Sequence, residues 1–282
     1  PRGSKSGTPA TSPADSADIK RNALECYPMR KVEQQSTHAD ERGANGPSPI
    51  APSQHGEREA SAALGGTSLR RDEQGLALVG DGMVLRGDFS QLLPRIRKGR
   101  LSSELLVRAA KVRDCAEPWA IDATAGLGED SFLLAAAGFR VSMYESDPTV
   151  AALVRDALNR AQANPNLADI ACRMELFEKD SIEAMSHLGD TPDVIYLDPM
   201  FPERRKSAAV KKKFQLIHHL EAPCQNEGAL LVAAISAGPR KVVVKRPAKG
   251  PHLAGVKPSH SLAGKAVRYD VIIPASIKVP LA

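Results

Sequence analysis

The residues best suited to chemistry follow one apolar run, Val194–Leu197, which is succeeded by Asp198, Pro199 and Phe201. Pro199 has no N–H and a fixed φ, so we expect the Asp198 carboxylate and the Pro199 carbonyl to accept hydrogen bonds at one point. Two such acceptors would hold the exocyclic amine of a nucleobase for in-line attack, while Phe201 would stack on the base. We therefore predict that Asp198, Pro199 and Phe201 are catalytic. The alternative is a simple Asp-Pro turn with Phe201 in the core.

A second motif whose residue types suit ligand binding is the loop at residues 122–130, which reads DATAGLGED. Gly126 and Gly128 let the backbone turn sharply and approach a ligand without an intervening Cβ. A dinucleotide loop would carry a third glycine and a helix start without negative charge, whereas Glu129 and Asp130 open the helix here. These carboxylates would repel a diphosphate and tolerate the amino and sulfonium groups of S-adenosylmethionine (SAM). The loop therefore favours a methyl donor over NAD.

Two further acids stand at the ends of the next two predicted strands. Glu145 comes 17 residues after Gly128, where a carboxylate can accept both ribose hydroxyls of a nucleoside. Asp180, followed by Ser181, could accept from the adenine amine. The alternative is that Asp180 and Ser181 only cap the next helix. Glycines followed in order by two acids at strand ends predict a nucleoside site.

Positive charge is concentrated just beyond the predicted catalytic residues. Six basic residues and one acid lie within 203–213, and seven basic residues and no acid lie within 241–269. Such a concentration favours a nucleic-acid phosphate backbone as the partner, although charge runs are often solvated faces. The predicted RNA-binding residues are Arg204, Arg205, Lys206, Lys211, Lys212, Lys245 and Arg246.

The segments that must position these residues alternate between strand and helix patterns, which predicts an α/β fold with a doubly wound, mostly parallel sheet. Two apolar runs around Gly80, Asp81 and Gly82 predict a small β-hairpin before it. The predicted strands are 119–124, 140–145, 174–177, 194–197, 242–245 and 269–273. The predicted helices are 102–110, with a polar cap, 129–137, 148–163, 181–188, 208–220 and 228–237.

Residues 1–66 differ from the rest in composition, with one aromatic residue (Tyr27) and eight basic residues against eight acidic ones. Too little apolar surface is available there to offset the entropy of ordering. We expect a disordered, low-complexity segment that begins with the remnant of a cleaved tag, Pro1–Ser4, and a folded domain over 67–282.

Composition excludes several classes of protein. No uncharged apolar run approaches the roughly 18 residues of a membrane-spanning helix. The four cysteines form no C-x-x-C pair, so we expect neither a zinc site nor a disulfide framework, and a reducing cytoplasmic setting fits best. His218 and His219 have no spaced acid or cysteine companion, and we predict no metal site.

Four segments together resemble the ribosomal small-subunit methyltransferase J family: DATAGLG at 122–128, VIYLDPMFP at 194–202, KSAAVKK at 206–212 and VVVKRP at 242–247. The resemblance spans roughly 76–275 and implies a Rossmann-like class I methyltransferase. Such an enzyme uses SAM, releases S-adenosylhomocysteine, and methylates the exocyclic N2 of one guanine in 16S rRNA.

The motifs and the resemblance together predict a set of SAM-binding residues. These are Asp122, Thr124, Gly126, Gly128, Glu129, Asp130, Glu145, Ser146, Asp180, Ser181 and Asp198. The chain departs from the family pattern at Glu129 and Ser146, where arginine is usual or frequent. The expected partner is small-subunit ribosomal RNA or the 30S subunit.

Other functions stay open on the sequence. An N6-adenine or other amino-directed nucleic-acid methyltransferase could use a similar Asp-Pro corner. A non-catalytic RNA-binding protein could keep the methyltransferase fold. An NAD-dependent oxidoreductase is disfavoured, because it would need a third glycine and a helix N-terminus free of acids.

Overall fold

The computed structural model describes residues 67–80, 82–199 and 226–276. The chain there begins with a three-stranded antiparallel sheet made of β1 (Thr67–Asp72), β2 (Gly75–Gly80) and β3 (Met83–Leu85). β2 and β3 pair as the predicted hairpin, while its turn residue Asp81 lies outside the described residues. β1, which the sequence analysis did not predict, pairs with β2 along its whole length.

Seven strands form a second, larger sheet. They are β4 (Trp119–Asp122), β5 (Arg140–Glu145), β6 (Met174–Glu178), β7 (Val194–Leu197), β8 (Lys241–Pro247), β9 (His260–Ala263) and β10 (Val267–Ile272). Their spatial order is β6-β5-β4-β7-β8-β10-β9. In this spatial order, the first five strands (β6, β5, β4, β7 and β8) are parallel to one another, whereas β10 is antiparallel to both of its neighbours, β8 and β9. This confirms the predicted mostly parallel sheet.

The strand order reverses between β4 and β7. The chain leaves β4 toward β5 and β6 on one side, and returns to pair β7 on the other side of β4. In sheets of this kind, ligands bind beyond the carboxyl ends of the strands at such a switch point. The loops after β4 and β7 therefore frame the expected site.

The described helices are α1 (Leu105–Ala110), α2 (Glu129–Ala136), α3 (Pro148–Gln162), α4 (Ala168–Ala171), α5 (Ser181–Met185) and α6 (Glu227–Ser236). α4 was not predicted, and the predicted helix at 208–220 lies outside the described residues. The helix expected over 102–110 is divided into a 3-10 turn, Leu101–Ser103, and α1, because Glu104 between them is extended. Its predicted polar cap is wrong, since α1 has no side-chain cap and the Glu104 carboxylate binds Arg95 instead.

Helices cover both faces of the large sheet, as predicted. One face packs Leu106 of α1, Phe132 of α2 and Val150 of α3 against strand residues that include Val243. The other face packs Met185 of α5 and Leu230 of α6 against strand residues that include Val242 and Val244. Successive β8 residues thus enter opposite cores, as a pleated strand requires. No helix among the described residues is long and apolar enough to cross a bilayer.

Candidate active site

The loop between β4 and α2 supplies the floor of the candidate site. Gly126 (φ +51°) and Gly128 (φ +75°) both adopt left-handed backbone conformations that a side chain disfavours. A Cβ on Gly128 would approach the Phe89 ring to 3.3 Å, whereas a Cβ on Gly126 would meet nothing within 4 Å. Gly128 therefore permits close packing beneath the loop, and Gly126 borders open space above it.

Neighbouring strands hold this loop in place. The N–H of Ala123 donates to the Tyr196 carbonyl on β7 (3.1 Å), and the N–H of Ala125 donates to the Tyr144 carbonyl on β5 (3.2 Å). The Gly128 N–H donates back to the Ala125 carbonyl (2.8 Å) and closes the turn. The loop is thus part of the sheet's hydrogen-bonding network.

Asp122 lies beneath the loop and is only 1% exposed. Its Oδ1 accepts from the Thr124 N–H (3.1 Å) and its Oδ2 accepts from the Ser131 hydroxyl on α2 (2.5 Å). Burial raises the pKa of Asp122 to about 7, although both hydrogen bonds act in the opposite direction. Both carboxylate oxygens face the loop and α2, so Asp122 positions the loop, and its contact with the cofactor stays a prediction.

Glu145, at the end of β5, connects the loop to the next helix. Its Oε2 accepts from the Gly126 N–H (3.0 Å) and its Oε1 accepts from the Asp147 N–H (2.8 Å). Burial raises the pKa of Glu145, which is 7% exposed. A carboxylate has about four lone-pair positions, and backbone N–H groups of Gly126, Asp147 and Ser146 act on this one, so at least one position remains for a ligand. Ser146 follows and is exposed.

Asp180 follows the end of β6 and is exposed. Its Oδ1 accepts from the Glu183 N–H (2.9 Å), which makes Asp180 the N-cap of α5. Asp180 thus caps α5 with one of its two carboxylate oxygens, and whether capping is its only role is not decided by this contact. Ser181 is the half-buried first residue of α5. Contact of either residue with an adenine base stays a prediction.

At the switch point, a shared ammonium group joins an acid at the start of α2 to an acid at the end of β7. Lys245 Nζ lies 2.7 Å from Asp130 Oδ2 and 2.8 Å from Asp198 Oδ2, and its side chain is 25% exposed. Burial alone would lower the pKa of Lys245, but the charges of Asp130 and Asp198 raise it well above its ordinary value. We call the space bordered by Asp130, Lys245 and Asp198 the cleft.

Two further hydrogen bonds orient the acids of the cleft. The Asp198 N–H donates to Thr124 Oγ1 (2.7 Å), so the ends of β4 and β7 are tied across the switch point. The buried Tyr196 hydroxyl donates to Asp130 Oδ2 (2.6 Å). Burial raises the pKa of Asp198, with Lys245 acting in the opposite direction. Among the described residues, Asp198 Oδ1 accepts no hydrogen bond from protein, so one oxygen remains for a ligand.

The structure describes two of the predicted RNA-binding residues, Lys245 and Arg246, and contradicts the prediction for Arg246. Lys245 lies in the cleft as the partner of two acids. The Arg246 side chain is 1% exposed, its Nε donates to the Pro251 carbonyl (2.8 Å), and its Nη1 lies 3.5 Å from Glu227. Arg246 therefore cannot reach a phosphate backbone, because its guanidinium is packed inside the protein.

Other predicted residues lie outside the described part of the chain. They are Phe201, Arg204, Arg205, Lys206, Lys211 and Lys212. Pro199 is buried directly after Asp198, and Glu129 is exposed at the start of α2. The use of the Pro199 carbonyl as an acceptor stays a prediction.

The sequence analysis missed Tyr196 and Tyr269. Tyr269 pairs with Lys245 in the β8–β10 register and is 5% exposed, and burial raises its pKa with the charge of Asp130 adding to the effect. The sequence pattern indicates only strand positions for both tyrosines. A tyrosine within a buried strand is a signal in itself, because its hydroxyl needs a partner.

Comparison with known proteins gives consistent matches. The family model described as "Putative SAM-dependent methyltransferase" matches residues 67–274. The ribosomal RNA small subunit methyltransferase J of Neisseria meningitidis serogroup C is 43% identical over 206 residues, which are 72% of this chain and 82% of that protein. The protein of that name from Stutzerimonas stutzeri is 47% identical over 171 residues, 60% of this chain and 66% of its own.

A solved structure agrees with the sequence matches. The crystal structure of a SAM-dependent methyltransferase from Neisseria gonorrhoeae is similar to this chain with a TM-score of 0.62 and 33% identity. The match covers 83% of this chain and 91% of that one. The fold predicted from the sequence is therefore confirmed.

Proposed function

Since the chain belongs to the SAM-dependent methyltransferase family that includes the ribosomal RNA small subunit methyltransferases J, we propose that it methylates the exocyclic N2 amine of a guanine in 16S ribosomal RNA. SAM is the cofactor. The observation that carries the proposal is the position of Asp198, which the Thr124 hydroxyl ties to the glycine loop at the switch point. We assign residues 67–282 to the methyltransferase domain, in keeping with the family match.

The residues of the site fit SAM in shape and charge. Gly126 borders open space, and the adjacent Glu145 carboxylate has room for at least one ribose hydroxyl. Asp130 and Asp198 supply negative charge for the cationic amino and sulfonium groups. When bound, SAM supplies a methyl group on a positively charged sulfur. Asp122 and Thr124 hold the loop and Asp198 in position.

We assign the handling of the amine to Asp198. Its Oδ1 can accept one N–H of the guanine amine while Lys245 holds Oδ2, so the nitrogen lone pair is directed away from the carboxylate. As the N–C bond forms and the C–S bond breaks, the nitrogen becomes acidic and must lose a proton. The raised pKa of Asp198 suits it to accept that proton and pass it to water.

The proposal is tested by identifying the product. The full chain is incubated with methyl-labelled SAM and small-subunit ribosomal RNA, either naked or in assembled 30S subunits, and the RNA is digested to nucleosides. We expect label in N2-methylguanosine. Label in N6-methyladenosine would instead favour an N6-adenine methyltransferase. RNA binding without label would favour a non-catalytic RNA-binding protein.

The cellular setting follows from the substrate. An enzyme that methylates bacterial ribosomal RNA meets it in the cytoplasm, and we propose that location. Comparison of naked RNA with assembled subunits in the same assay identifies the form of the substrate that the enzyme uses.

A further inference from the structure

A stretch that the motif analysis did not assign to any partner is unusually basic. Residues 95–113 contain seven basic residues and one acid, Glu104. The basic residues are Arg95, Arg97, Lys98, Arg100, Arg108, Lys111 and Arg113. The stretch includes α1 and the segments on either side of it. Its net charge is therefore strongly positive over a short length of chain.

The first part of this stretch lies beside the cleft. Arg95 binds Glu104 through two hydrogen bonds, from Nε to Oε1 (2.9 Å) and from Nη2 to Oε2 (2.8 Å). Glu104 directly precedes α1, which packs against α2, the helix that carries Asp130 of the cleft. The charge of Asp130 accordingly raises the pKa of both Arg95 and Glu104. Arg97, Lys98 and Arg100, in the same segment, are exposed.

The last part of the stretch packs against the other end of β8. Lys241 Nζ donates to the carbonyls of Ala109 (3.3 Å) and Lys111 (2.8 Å). Arg240 Nη1 donates to the Arg113 carbonyl (3.1 Å). These bonds fix the chain beyond α1 and create a groove of about 470 Å³. Its lining includes Arg108, Lys111, Arg113, Arg240 and Lys241, with Asp114 as the one acid.

The charge of this groove is largely unneutralised. Arg240 pairs with Asp193 (3.1 Å), but the exposed side chains of Arg108, Lys111 and Arg113 form no ion pair with any described residue. Burial and the charge of Arg113 lower the pKa of Lys241. The groove is therefore a place where cations repel one another, and a bound anion would relieve that repulsion.

The groove and the cleft lie at opposite ends of one strand. Lys241 and Lys245 are four residues apart on β8 and point to the same face. At about 3.3 Å per residue, their Cα atoms are about 13 Å apart. α1 packs on this face, and its flanking segments reach both ends. Cations thus extend from the cleft along α1 to the groove, over a length that suits a polyanion better than a single small anion.

We infer that residues 95–100, α1 and the groove form a second contact surface for the phosphate backbone of the ribosomal RNA substrate; we call it the α1 track. The inference rests on the proposed function, which makes RNA the substrate. The track holds RNA that leaves the cleft within a few nucleotides of the target base. It adds affinity and orientation without contacting the reacting atoms.

The test replaces two exposed cations of the groove and compares RNA binding by this variant with RNA binding by a matched control variant. The double variant Arg108→Gln/Lys111→Gln removes two positive charges from the track, and Arg70→Gln/Arg155→Gln removes the same charge from exposed positions outside the track and the other basic stretches. Loss of two phosphate contacts should reduce the slope of log affinity against log salt by about 2 for 16S ribosomal RNA. Affinity at 0.1 M salt should fall roughly 10- to 100-fold. KM for RNA should rise, while kcat and the affinity for SAM should stay unchanged.

The outcomes separate this inference from the proposed function. If the wild-type chain methylates ribosomal RNA but the track variant keeps the slope and KM of the control, the α1 track is wrong and the function stands. If the wild-type chain transfers no methyl group, the proposed function fails whatever the variants do, and the binding slopes still test the track. Arg113→Gln alone should reduce the slope by about 1. Unchanged SAM affinity shows that each variant is folded.

Discussion

The cleft and the groove of the α1 track lie at opposite ends of β8 and differ in the sign and the environment of their charges. In the cleft, Asp130 and Asp198 are each bound to Lys245 at 2.7–2.8 Å. In the track, Arg108, Lys111 and Arg113 are exposed and have no ion pair among the described residues. Reaction with a cationic donor requires acids held in fixed positions, whereas attraction of a phosphate backbone requires only accumulated positive charge.

This difference predicts separate kinetic effects. Substitutions in the cleft should change kcat and leave the salt dependence of RNA binding intact. Substitutions in the track should change KM and the salt dependence and leave kcat intact. The variants below are chosen to break or sharpen that separation.

Of the variants that keep Asp198 in place, Lys245→Met is expected to have the largest effect. The variant leaves Asp130 and Asp198 facing each other without a cation, which raises the pKa of Asp198 further. Since deprotonated Asp198 is the active form, the rise of kcat with pH should move to higher pH, and kcat at neutral pH should fall roughly 10- to 100-fold. The measurement is kcat against pH together with the salt slope of RNA binding.

Lys245→Arg provides the control for that experiment, because it keeps the charge and should keep most of the pH profile. If Lys245→Met instead lowered the salt slope by about 1 and left the pH profile unchanged, Lys245 would be the RNA contact that the sequence analysis predicted. That result would remove the separation between the cleft and the track.

An intermediate effect is expected for the double variant Arg108→Gln/Lys111→Gln. It should act on KM and the salt slope alone. A large fall in kcat would show that the track also aligns the target base, and the two regions would then be coupled.

The smallest effect on catalysis is expected for Asp122→Asn, because Asn can keep both hydrogen bonds and Asp122 does not face the cleft. Its pKa is raised from 3.8 to about 7 in the folded protein. The folded state therefore binds its proton more tightly, and the wild-type chain loses stability as pH rises from about 4 to 7. Over that range the free energy of unfolding of the variant should rise relative to that of the wild type. Above pH 7 the difference should be on the order of a few kcal/mol.

Urea unfolding of both proteins at pH 5 and pH 8 measures this gain. Parallel stability curves would mean that Asp122 is ionised in the folded state at both pH values. A large loss of kcat would mean that Asp122 contacts the reactants, as the sequence analysis expected.

Much of the fold was predictable, because its signals are local. Strand and helix patterns, the glycine loop and the acids at strand ends are properties of short segments. β9 (His260–Ala263) escaped prediction because its residues are mostly exposed and it is held as an edge strand by pairing with β10. The same limitation applied to Glu104, whose role depends on Arg95 and not on the helix it precedes.

The roles of the basic residues were less predictable. Counting charge along 241–269 treated Arg246 and Arg268 as surface groups, but each is buried with an acid from another position. Arg268 binds Asp270, which stands just beyond the counted stretch, and Arg246 lies near Glu227 on α6. Burial depends on tertiary partners, so a count of charges could not separate these residues from the exposed ones of the α1 track.

The central claim concerns the Asp198 carboxylate, and Asp198→Asn tests it most directly. The variant keeps the size of the side chain and the backbone N–H that donates to Thr124, but it removes the charge. In single-turnover assays with ribosomal RNA, we expect the methyl-transfer rate to fall at least about 100-fold. RNA affinity should stay within about threefold of the wild type, and SAM affinity should fall by much less than the methyl-transfer rate does. A variant that transferred methyl groups at the wild-type rate would contradict the account.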